Sequence, residues 1–496
     1  MKLSDYFRGG VVDPLGYSPT SASIKPVHIA NGLSRAVLGQ YYDPLLLNRA
    51  LNRWAGKGTQ ERHPTDDLVE EAGEVLGDLA LPSNRHALDE LRQLLKGVLD
   101  ADSGVYDKND NCSYTLTHRS HVTRDHNDRR TGDFLFRVLS VDLGQGPSPA
   151  IALLRALLSD ASDEISVVSL PLTQGEEPLE HTVDLERAPA SIATRTSRGQ
   201  LLFRSSALRA IREGFDTLAA FERARGSKLH SLRRLVSFST FSIFLHLVNR
   251  SLDYEDGRQH HRRRPPILLD CVQRGWTSVA VASHATYLLA CKSIDRMVWH
   301  GMRAALAEEH GDRWTTRAVE DFIADVELRG PARAQERRRQ HFSDVFQSYR
   351  AGGAKVGEAF NLAVVDALFE DMSGTPEDFA RALGVRGGLL APRGHRAVKK
   401  RYAPSPEMLE VLLAASVPLD EELHLEDLAE RWWELFGIVV GGRRDDAATL
   451  ARWSILDATK ADLAANAQAL RDSLIEIGYA RRYADGVTII RSAWRG

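Results

Sequence analysis

The chain has 496 residues and a formal net charge of −3; 43% of its residues are hydrophobic and 26% are charged. This composition is ordinary for a globular protein, and a chain of this length normally divides into about two to four domains. Because 64 Lys and Arg stand against 67 Asp and Glu, a globally basic nucleic-acid binder is excluded, although a local basic patch is not.

Three features of the chain favour a location in the cytoplasm. Cys112, Cys271 and Cys291 form no C-x-x-C pair and no even disulfide framework, as is typical of proteins in a reducing compartment. Residues 1–7 lack the apolar core of a signal peptide, and the longest apolar stretch, residues 235–248, is too short to span a bilayer. We therefore expect a cytoplasmic protein that makes no membrane contact.

The first 199 residues predict an α+β domain. Apolar spacing predicts helices, and apolar runs predict strands. The helices are expected over residues 44–55, 67–79, 83–99 and 149–158, and the strands over residues 134–141 and 165–172. Ser148 is expected to cap the last of these helices, with Pro149 as its first residue.

The middle of the chain, residues 200–386, predicts a helical domain. Apolar residues recur with helical spacing over residues 205–225, 229–250, 283–309, 316–328, 332–349, 354–372 and 376–383. Residues 387–401 combine Gly and Pro with five basic residues and no acidic residue, which is typical of a linker. We therefore expect a mainly α, multi-domain protein with an α+β N-terminal part and a last domain at residues 402–496.

The last domain is predicted to consist of three helices followed by a hairpin. Apolar patterns predict helices over residues 406–417, 424–436 and 461–477, followed by a hairpin whose turn is Asp485-Gly486. The order resembles the winged-helix superfamily over about a fifth of the chain. The resemblance implies DNA contacts from the third helix, through Lys460, Asn466, Gln468 and Arg471, and from the wing, through Arg481 and Arg482.

Two departures from the winged-helix pattern favour protein docking over base reading. Residues 437–460 separate the second helix from the third, where a tight turn is usual. The cations of the third helix are balanced by Asp462, Asp472 and Glu476, and neutralisation of phosphates dominates affinity for DNA. We therefore expect this domain to dock protein partners.

The strongest cationic cluster lies between residues 223 and 264, with ten basic residues against three acidic ones. Its arginine-rich loop ends at Pro265-Pro266 and is suited to tracking a phosphate backbone. The alternative is that these charges are solvated or pair with acidic helices of the same chain. The candidate nucleic-acid-binding residues are Arg233, Arg234, Arg258, Arg262, Arg263, Arg264, Lys399, Lys400, Arg401, Arg481 and Arg482.

The residue types of metal and phosphate sites occur without their usual spacing. The types that bind zinc are present at Cys112, His118, His121 and His126. Alternation over residues 114–121 predicts a solvated hairpin with the first two His residues on opposite faces. Gly144 and Gly146 precede a helix but lack the complete glycine motif of a phosphate loop. We expect no metal and no cofactor.

Carboxylates of the kind that hold Mg²⁺ in nucleases are present, but no lysine pattern accompanies them. They are Asp110, Asp125, Asp128, Asp133 and Asp142. We expect no catalytic residues and no enzymatic activity.

Together these features favour a non-catalytic subunit of a bacterial, DNA-associated multi-protein complex. The chain is loosely similar to accessory subunits of bacterial DNA-restriction and phage-defence systems, and that resemblance implies partners such as a motor ATPase or a nuclease. The helical middle would scaffold these partners while the arginine-rich loops contact DNA. Two alternatives stay open: a winged-helix transcriptional regulator, and a metal-dependent nuclease subunit whose Asp and His residues at 107–133 converge on an ion.

Overall fold

The expectation of a mainly α protein with a small β content is confirmed. A computed structural model describes residues 2–42, 54, 64–90, 92–93, 116–124, 127–144, 146–163, 166, 177–185, 192–195, 201–225, 227–250, 264–393, 399–484 and 487–492. Among these residues, no helix is both long and apolar enough to cross a membrane.

The helices are numbered in chain order. The first eight are α1 (Leu3–Phe7), α2 (Asp13–Leu15), α3 (Pro26–Leu38), α4 (Thr65–Leu76), α5 (Thr131–Ser140), α6 (Pro149–Ser159), α7 (Ser206–Arg225) and α8 (Lys228–Asn249). The next five are α9 (Ser278–His310), α10 (Thr316–Asp325), α11 (Ala332–Ala351), α12 (Val356–Asp371) and α13 (Pro376–Arg386). The last four are α14 (Pro406–Ala414), α15 (Leu425–Phe436), α16 (Asp446–Ala451) and α17 (Lys460–Glu476).

The strands are short and pair in twos. Four antiparallel pairs are β1 (Gln40–Tyr41) with β2 (Leu179–Glu180), β3 (Ala193–Arg195) with β4 (Leu201–Phe203), β6 (Leu390–Ala391) with β7 (Arg401–Tyr402), and β9 (Ala480–Arg482) with β10 (Thr488–Ile490). The fifth pair is parallel and joins β5 (Ile267–Leu268) to β8 (Ile438–Val439).

The strand predicted over residues 134–141 is wrong, because this segment belongs to α5. A continuous apolar run does not by itself distinguish a buried strand from a buried helix. Phe134, Leu135, Val138 and Leu139 are buried and follow helical spacing. Helix α5 packs tightly on α3, and a Cβ added at Gly132 would lie 2.1 Å from the carbonyl carbon of Gly32. Glycine at this crossing allows the two helix backbones to touch.

The other elements predicted near the N-terminus have mixed outcomes. The acidic helix forms as α4, and residues 85–90 of the next predicted helix are helical. Ser148 caps α6 by accepting a hydrogen bond from the Ala150 N–H, and Pro149 begins the helix, as predicted. The helix predicted at 44–55 and the strand predicted at 165–172 lie outside the described residues, apart from Trp54 and Ser166.

All the helices predicted in the middle of the chain are confirmed, and α8 lies at their centre. It packs against α3, α7, α9, α13 and α14. The hydroxyl groups of Ser239 and Thr240 donate to the carbonyl oxygens of Leu235 and Val236. Both hydroxyl groups are therefore hydrogen-bonded although apolar side chains surround the helix. This helix is therefore buried on nearly every side along its second half.

The predicted linker is joined to the body at both ends. Leu389 and Leu390 are buried, and β6 pairs with β7 across the segment, of which residues 394–398 lie outside the described part. A single cluster of buried apolar side chains includes Leu3, Phe244 and Leu428, one from each of the three predicted domains. The three predicted domains therefore contribute to one large core cluster, beside two smaller clusters in the described part of the chain.

The C-terminal helices and hairpin strands form as predicted. Ser405 caps α14, and Gly437 ends α15 with a φ of 71°. Leu423, just before α15, makes an antiparallel bridge to Ile490 of the hairpin, whose turn at 485–486 lies outside the described residues. The long spacer between α15 and α17 contains β8 and α16, and β8 pairs with β5 of the middle region. The spacer thus connects the C-terminal helices to the centre of the protein.

Candidate functional site

The two neighbouring arginines of α8 have different environments. Arg233 is exposed, whereas Arg234 is buried. The Arg234 guanidinium donates to both carboxylate oxygens of Glu222 on α7, and its Nη1 donates to Glu410 Oε1 on α14 at 2.9 Å. Two carboxylates therefore hold Arg234 inside the protein, which makes it inaccessible to a phosphate backbone.

The predicted arginine-rich loop is described only from Arg264 onward. Outside the described part lie Arg258, Arg262 and Arg263. Arg264 donates to the carbonyl oxygens of Leu435 at 2.7 Å and Glu434 at 3.0 Å, so it caps the C-terminal end of α15. Its Nε donates to Ser206 Oγ at 3.0 Å, and burial lowers the pKa of Arg264 to about 10. Arg264 therefore links α7 to α15 from a partly buried position.

The three consecutive cations of the predicted linker, Lys399, Lys400 and Arg401, also differ in their environments. Lys400 is buried, and its ammonium group donates to the carbonyl oxygen of Pro392. In contrast, Lys399 is exposed, and its Nζ lies 5.1 Å from the ring centroid of Trp276. The guanidinium carbon of Arg401 lies 5.7 Å from the same centroid. Two of the predicted cations are thus brought together over one aromatic ring.

We call Arg274, Trp276, Lys399 and Arg401 the Trp276 surface. The indole is 41% exposed, which is unusual for so large an apolar side chain. Asp270 accepts a hydrogen bond from Arg401 Nε at 2.6 Å. Arg274 and Lys399 are exposed, and neither pairs with a carboxylate within the described residues. The surface therefore combines an aromatic platform with a net positive charge.

The C-terminal candidates divide between buried and exposed positions. Asn466, a predicted base-reading residue of α17, is fully buried. Its side chain accepts from the Cys271 N–H at 2.8 Å and donates to the carbonyl oxygens of Leu269 at 2.8 Å and Val440 at 3.0 Å. This contradicts a base-reading role, because all three bonds attach α17 to the chain around β5 and β8.

The remaining C-terminal candidates lie at the surface. Lys460 and Gln468 are exposed on α17, and Arg471 hydrogen-bonds to Asp472 at 3.0 Å. On the hairpin, the exposed residues are Arg481 and Arg482. The exposed face of α17 therefore stays close to neutral, as its sequence predicts.

The segment around His121 is compact, so the predicted solvated hairpin is wrong. Residues Arg119–His121 form a 3₁₀ turn, and the His118 and His121 ring centroids lie 6.1 Å apart. His121 is fully buried, and burial lowers the pKa of its imidazole to about 3. The neutral ring is therefore part of the core. Outside the described residues lie Asp110, Cys112, Asp125 and His126.

The described carboxylates of this region are occupied by partners from the chain itself. Asp128 is buried against Arg35, with an Oδ1 to Nη2 distance of 3.3 Å. Asp133 Oδ1 lies 2.9 Å from His181 Nε2. In the described part of the chain, no group of three His, Cys, Asp or Glu side chains is arranged to hold a metal ion. Asp142 accepts from the N–H groups of Gly144 and Gly146, both at 2.8 Å, and so occupies the donors a phosphate would need.

A second cationic site escaped prediction from the sequence. A cleft of about 790 Å³ lies between the N-terminal segment, the turn before α5 and the connection between α10 and α11. Its lining includes Arg8, Arg129, Arg130 and Arg329. Within the described residues, none of these four guanidinium groups has an ion pair or a hydrogen bond. The four arginines are far apart along the chain, so no local motif could have identified them.

Neither protein-family models nor curated protein sequences contain a match to this chain.

Proposed function

We propose that this protein is a non-catalytic subunit of a bacterial, DNA-associated complex, which docks protein partners and contacts nucleic acid through exposed cationic surfaces. The Trp276 surface is the observation that carries this proposal. A nucleobase stacks on an exposed aromatic ring with about 1–3 kcal/mol, and adjacent cations hold the phosphates. Partners such as a motor ATPase or a nuclease follow from the resemblance to accessory subunits of restriction and defence systems.

The surroundings of Trp276 favour an anionic ligand in a defined position. Thr277 caps α9 by accepting from the Ala280 N–H, so Trp276 directly precedes the N-cap at the positive end of a 33-residue helix. The hydrogen bond from Arg401 to Asp270 holds that guanidinium beside the ring. A platform held in this way loses little side-chain entropy when a base stacks on it.

The C-terminal helices are proposed as a winged-helix-like docking module. Support comes from the order of three helices and a hairpin, and from the bridge that joins Leu423 to Ile490. The third helix is fastened to the body by Asn466, and its exposed face is nearly neutral. Both features favour a protein partner, since a reading helix needs a free, cationic face.

Fluorescence anisotropy with a labelled single-stranded oligonucleotide, titrated over a range of salt concentrations, tests the nucleic-acid contact. Trp276→Ala is expected to weaken binding about tenfold, through the loss of one stacked base. Lys399→Ala is expected to reduce the slope of log K against log salt by about 0.7. Arg317→Ala removes an exposed charge of α10 elsewhere and is the matched control, expected to leave binding and its salt dependence unchanged.

The same titration separates the two parts of the proposal. Equal binding by wild type and Trp276→Ala would reject the Trp276 surface, and the combined Arg258→Glu, Arg262→Glu and Arg263→Glu variant then tests the predicted loop. Absence of binding by the wild type near physiological salt would reject nucleic-acid contact altogether and leave only scaffolding. Native mass spectrometry of the protein purified with its partners tests scaffolding, which predicts a stoichiometric complex.

A further inference from the structure

We propose that the cleft lined by Arg8, Arg129, Arg130 and Arg329 binds a small molecule carrying a diphosphate group. This site is separate from the Trp276 surface and does not depend on the proposed nucleic-acid contact. Guanidinium groups match phosphate oxygens with paired, parallel hydrogen bonds, and four of them around one cleft suit more than one phosphate.

The lining holds three acidic residues, Asp13, Glu327 and Asp371, and two of them have cationic partners. Glu327 pairs with Lys2 at 3.3 Å. Asp371 Oδ1 accepts from Arg338 Nη1 at 2.8 Å and from the backbone N–H of Arg329 at 2.6 Å. Five basic residues of the lining, Lys2 and the four arginines, exceed these three carboxylates by two, so the cleft keeps a positive charge that attracts an anion.

Two of the arginines are presented from an unfavourable backbone conformation. Arg129 and Arg130 have φ angles of 54° and 69°, in the left-handed region that side chains other than Gly rarely adopt. The Ser18 N–H donates to the Arg129 carbonyl oxygen at 3.0 Å, and the Phe134 N–H donates to that of Arg130 at 3.1 Å. Consecutive arginines held in this conformation by the surrounding structure are typical of a ligand site, where placement of the side chain outweighs local strain.

The N-terminal segment that lines the cleft carries a second uncommon backbone feature. Residues Arg8–Val12 form a π-helical turn, a rare structure that concentrates at functional sites. This turn is seated directly on α9, since a Cβ at Gly10 would lie 2.0 Å from the carbonyl oxygen of Gly301. Arg8, at the start of the turn, therefore lines the cleft from a firmly positioned backbone.

The size and lining of the cleft define the ligand class. About 790 Å³ is within the range of small-molecule sites, which is roughly 300–1,000 Å³. Ser18 and Thr20 add hydroxyl groups, and Phe7, Leu328 and Met372 add apolar surface. Cations, hydroxyls and apolar side chains together suit a molecule with a phosphorylated end and a less polar end, such as a nucleotide.

Isothermal titration calorimetry with inorganic pyrophosphate, and separately with ATP, tests this site on the full chain. Arg129→Gly and Arg130→Gly remove the guanidinium group while retaining a residue that accepts positive φ. Each is expected to weaken binding of both probes by about tenfold or more, without lowering the melting temperature. Ser454→Gly makes the same backbone change at an exposed residue with a φ of 61° outside the cleft, and it is expected to bind like the wild type.

The probes and variants separate the alternatives. Tighter binding of ATP than of pyrophosphate would identify a nucleotide as the source of the diphosphate, and equal binding would identify the diphosphate alone. The proposal is overturned if neither probe binds the wild type, or if Arg129→Gly and Arg130→Gly bind as tightly as Ser454→Gly. It is also overturned if only an oligonucleotide binds at these arginines, since the cleft would then hold a nucleic-acid strand. Trp276→Ala is expected to leave binding of both probes unchanged.

Discussion

Replacing Asn466 by alanine is expected to loosen the attachment of the C-terminal helices to the centre of the protein. The side chain is fully buried and is bonded to backbone groups of Leu269, Cys271 and Val440. Leu269 and Cys271 follow β5, and Val440 follows β8. The substitution therefore leaves one N–H and two carbonyl oxygens without their partner at the junction of the middle and C-terminal regions.

The expected loss of stability follows from these three hydrogen bonds. A buried hydrogen bond contributes about 1 kcal/mol net, so Asn466→Ala is expected to lower the free energy of unfolding by about 3 kcal/mol. The unfolding entropy is about 2.1 cal/mol/K per residue, or about 1 kcal/mol/K for the whole chain. For a single cooperative transition, the melting temperature is expected to fall by about 3 °C.

Differential scanning calorimetry and hydrogen exchange with mass spectrometry test this expectation. Peptides covering β5, β8 and α17 should exchange faster in Asn466→Ala, while peptides from α11 should not change. Gln468→Ala, at an exposed position of the same helix, is the control and should retain the wild-type melting temperature. Asn466→Asp keeps the shape but turns a carboxylate toward two carbonyl oxygens, and should be at least as destabilising.

One result would refute this reasoning about Asn466. If Asn466→Ala melts and exchanges like the wild type but loses affinity for an oligonucleotide, the side chain contacts nucleic acid and does not anchor α17. The role of α17 as a reading helix, which the winged-helix resemblance implies, would then be favoured over docking.

Two further predictions concern buried charges. Burial and the nearby Glu377 raise the pKa of Asp295 from 3.8 to about 6. The stability that protonated Asp295 contributes is therefore full below pH 3.8 and is lost as the pH rises through 6. Asp295→Asn should therefore raise the melting temperature at pH 8 and have little effect at pH 4, and a rise at pH 4 as large as at pH 8 would contradict this linkage. Arg234→Met should lower the free energy of unfolding by about 3–5 kcal/mol in urea titrations, because Glu222 stays buried without its partner. Arg317→Met, at an exposed position of α10, should change it by less than about 0.5 kcal/mol, and similar effects of the two substitutions would show that the buried pair is not the cause.

Local sequence patterns were sufficient for most helices and for their ends. The predicted cap at Ser148 is confirmed, and the cap at Ser405 and the end of α15 at Gly437 likewise depend on residues next to each other in the chain. The run at residues 134–141 was misread because its apolar residues satisfy both a strand and a helix, and contact with α3 decides between them.

Charge patterns in the sequence located cations but did not determine their exposure. Arg234, Lys400 and Asn466 have the residue types of a nucleic-acid surface, yet each is buried by partners at least eight residues away along the chain. Lys399 is exposed and lies over the ring of Trp276, a residue more than a hundred positions earlier, whereas its neighbour Lys400 is buried.

The sequence by itself determined the helical class, the helix caps and the C-terminal hairpin, because these depend on apolar spacing and on the backbone preferences of adjacent residues. Only the tertiary structure decided which polar side chains are buried, how β5 and β8 join the middle of the chain to its end, and that four distant arginines line one cleft. These features depend on contacts between segments far apart in the chain, which hydrophobic periodicity does not encode.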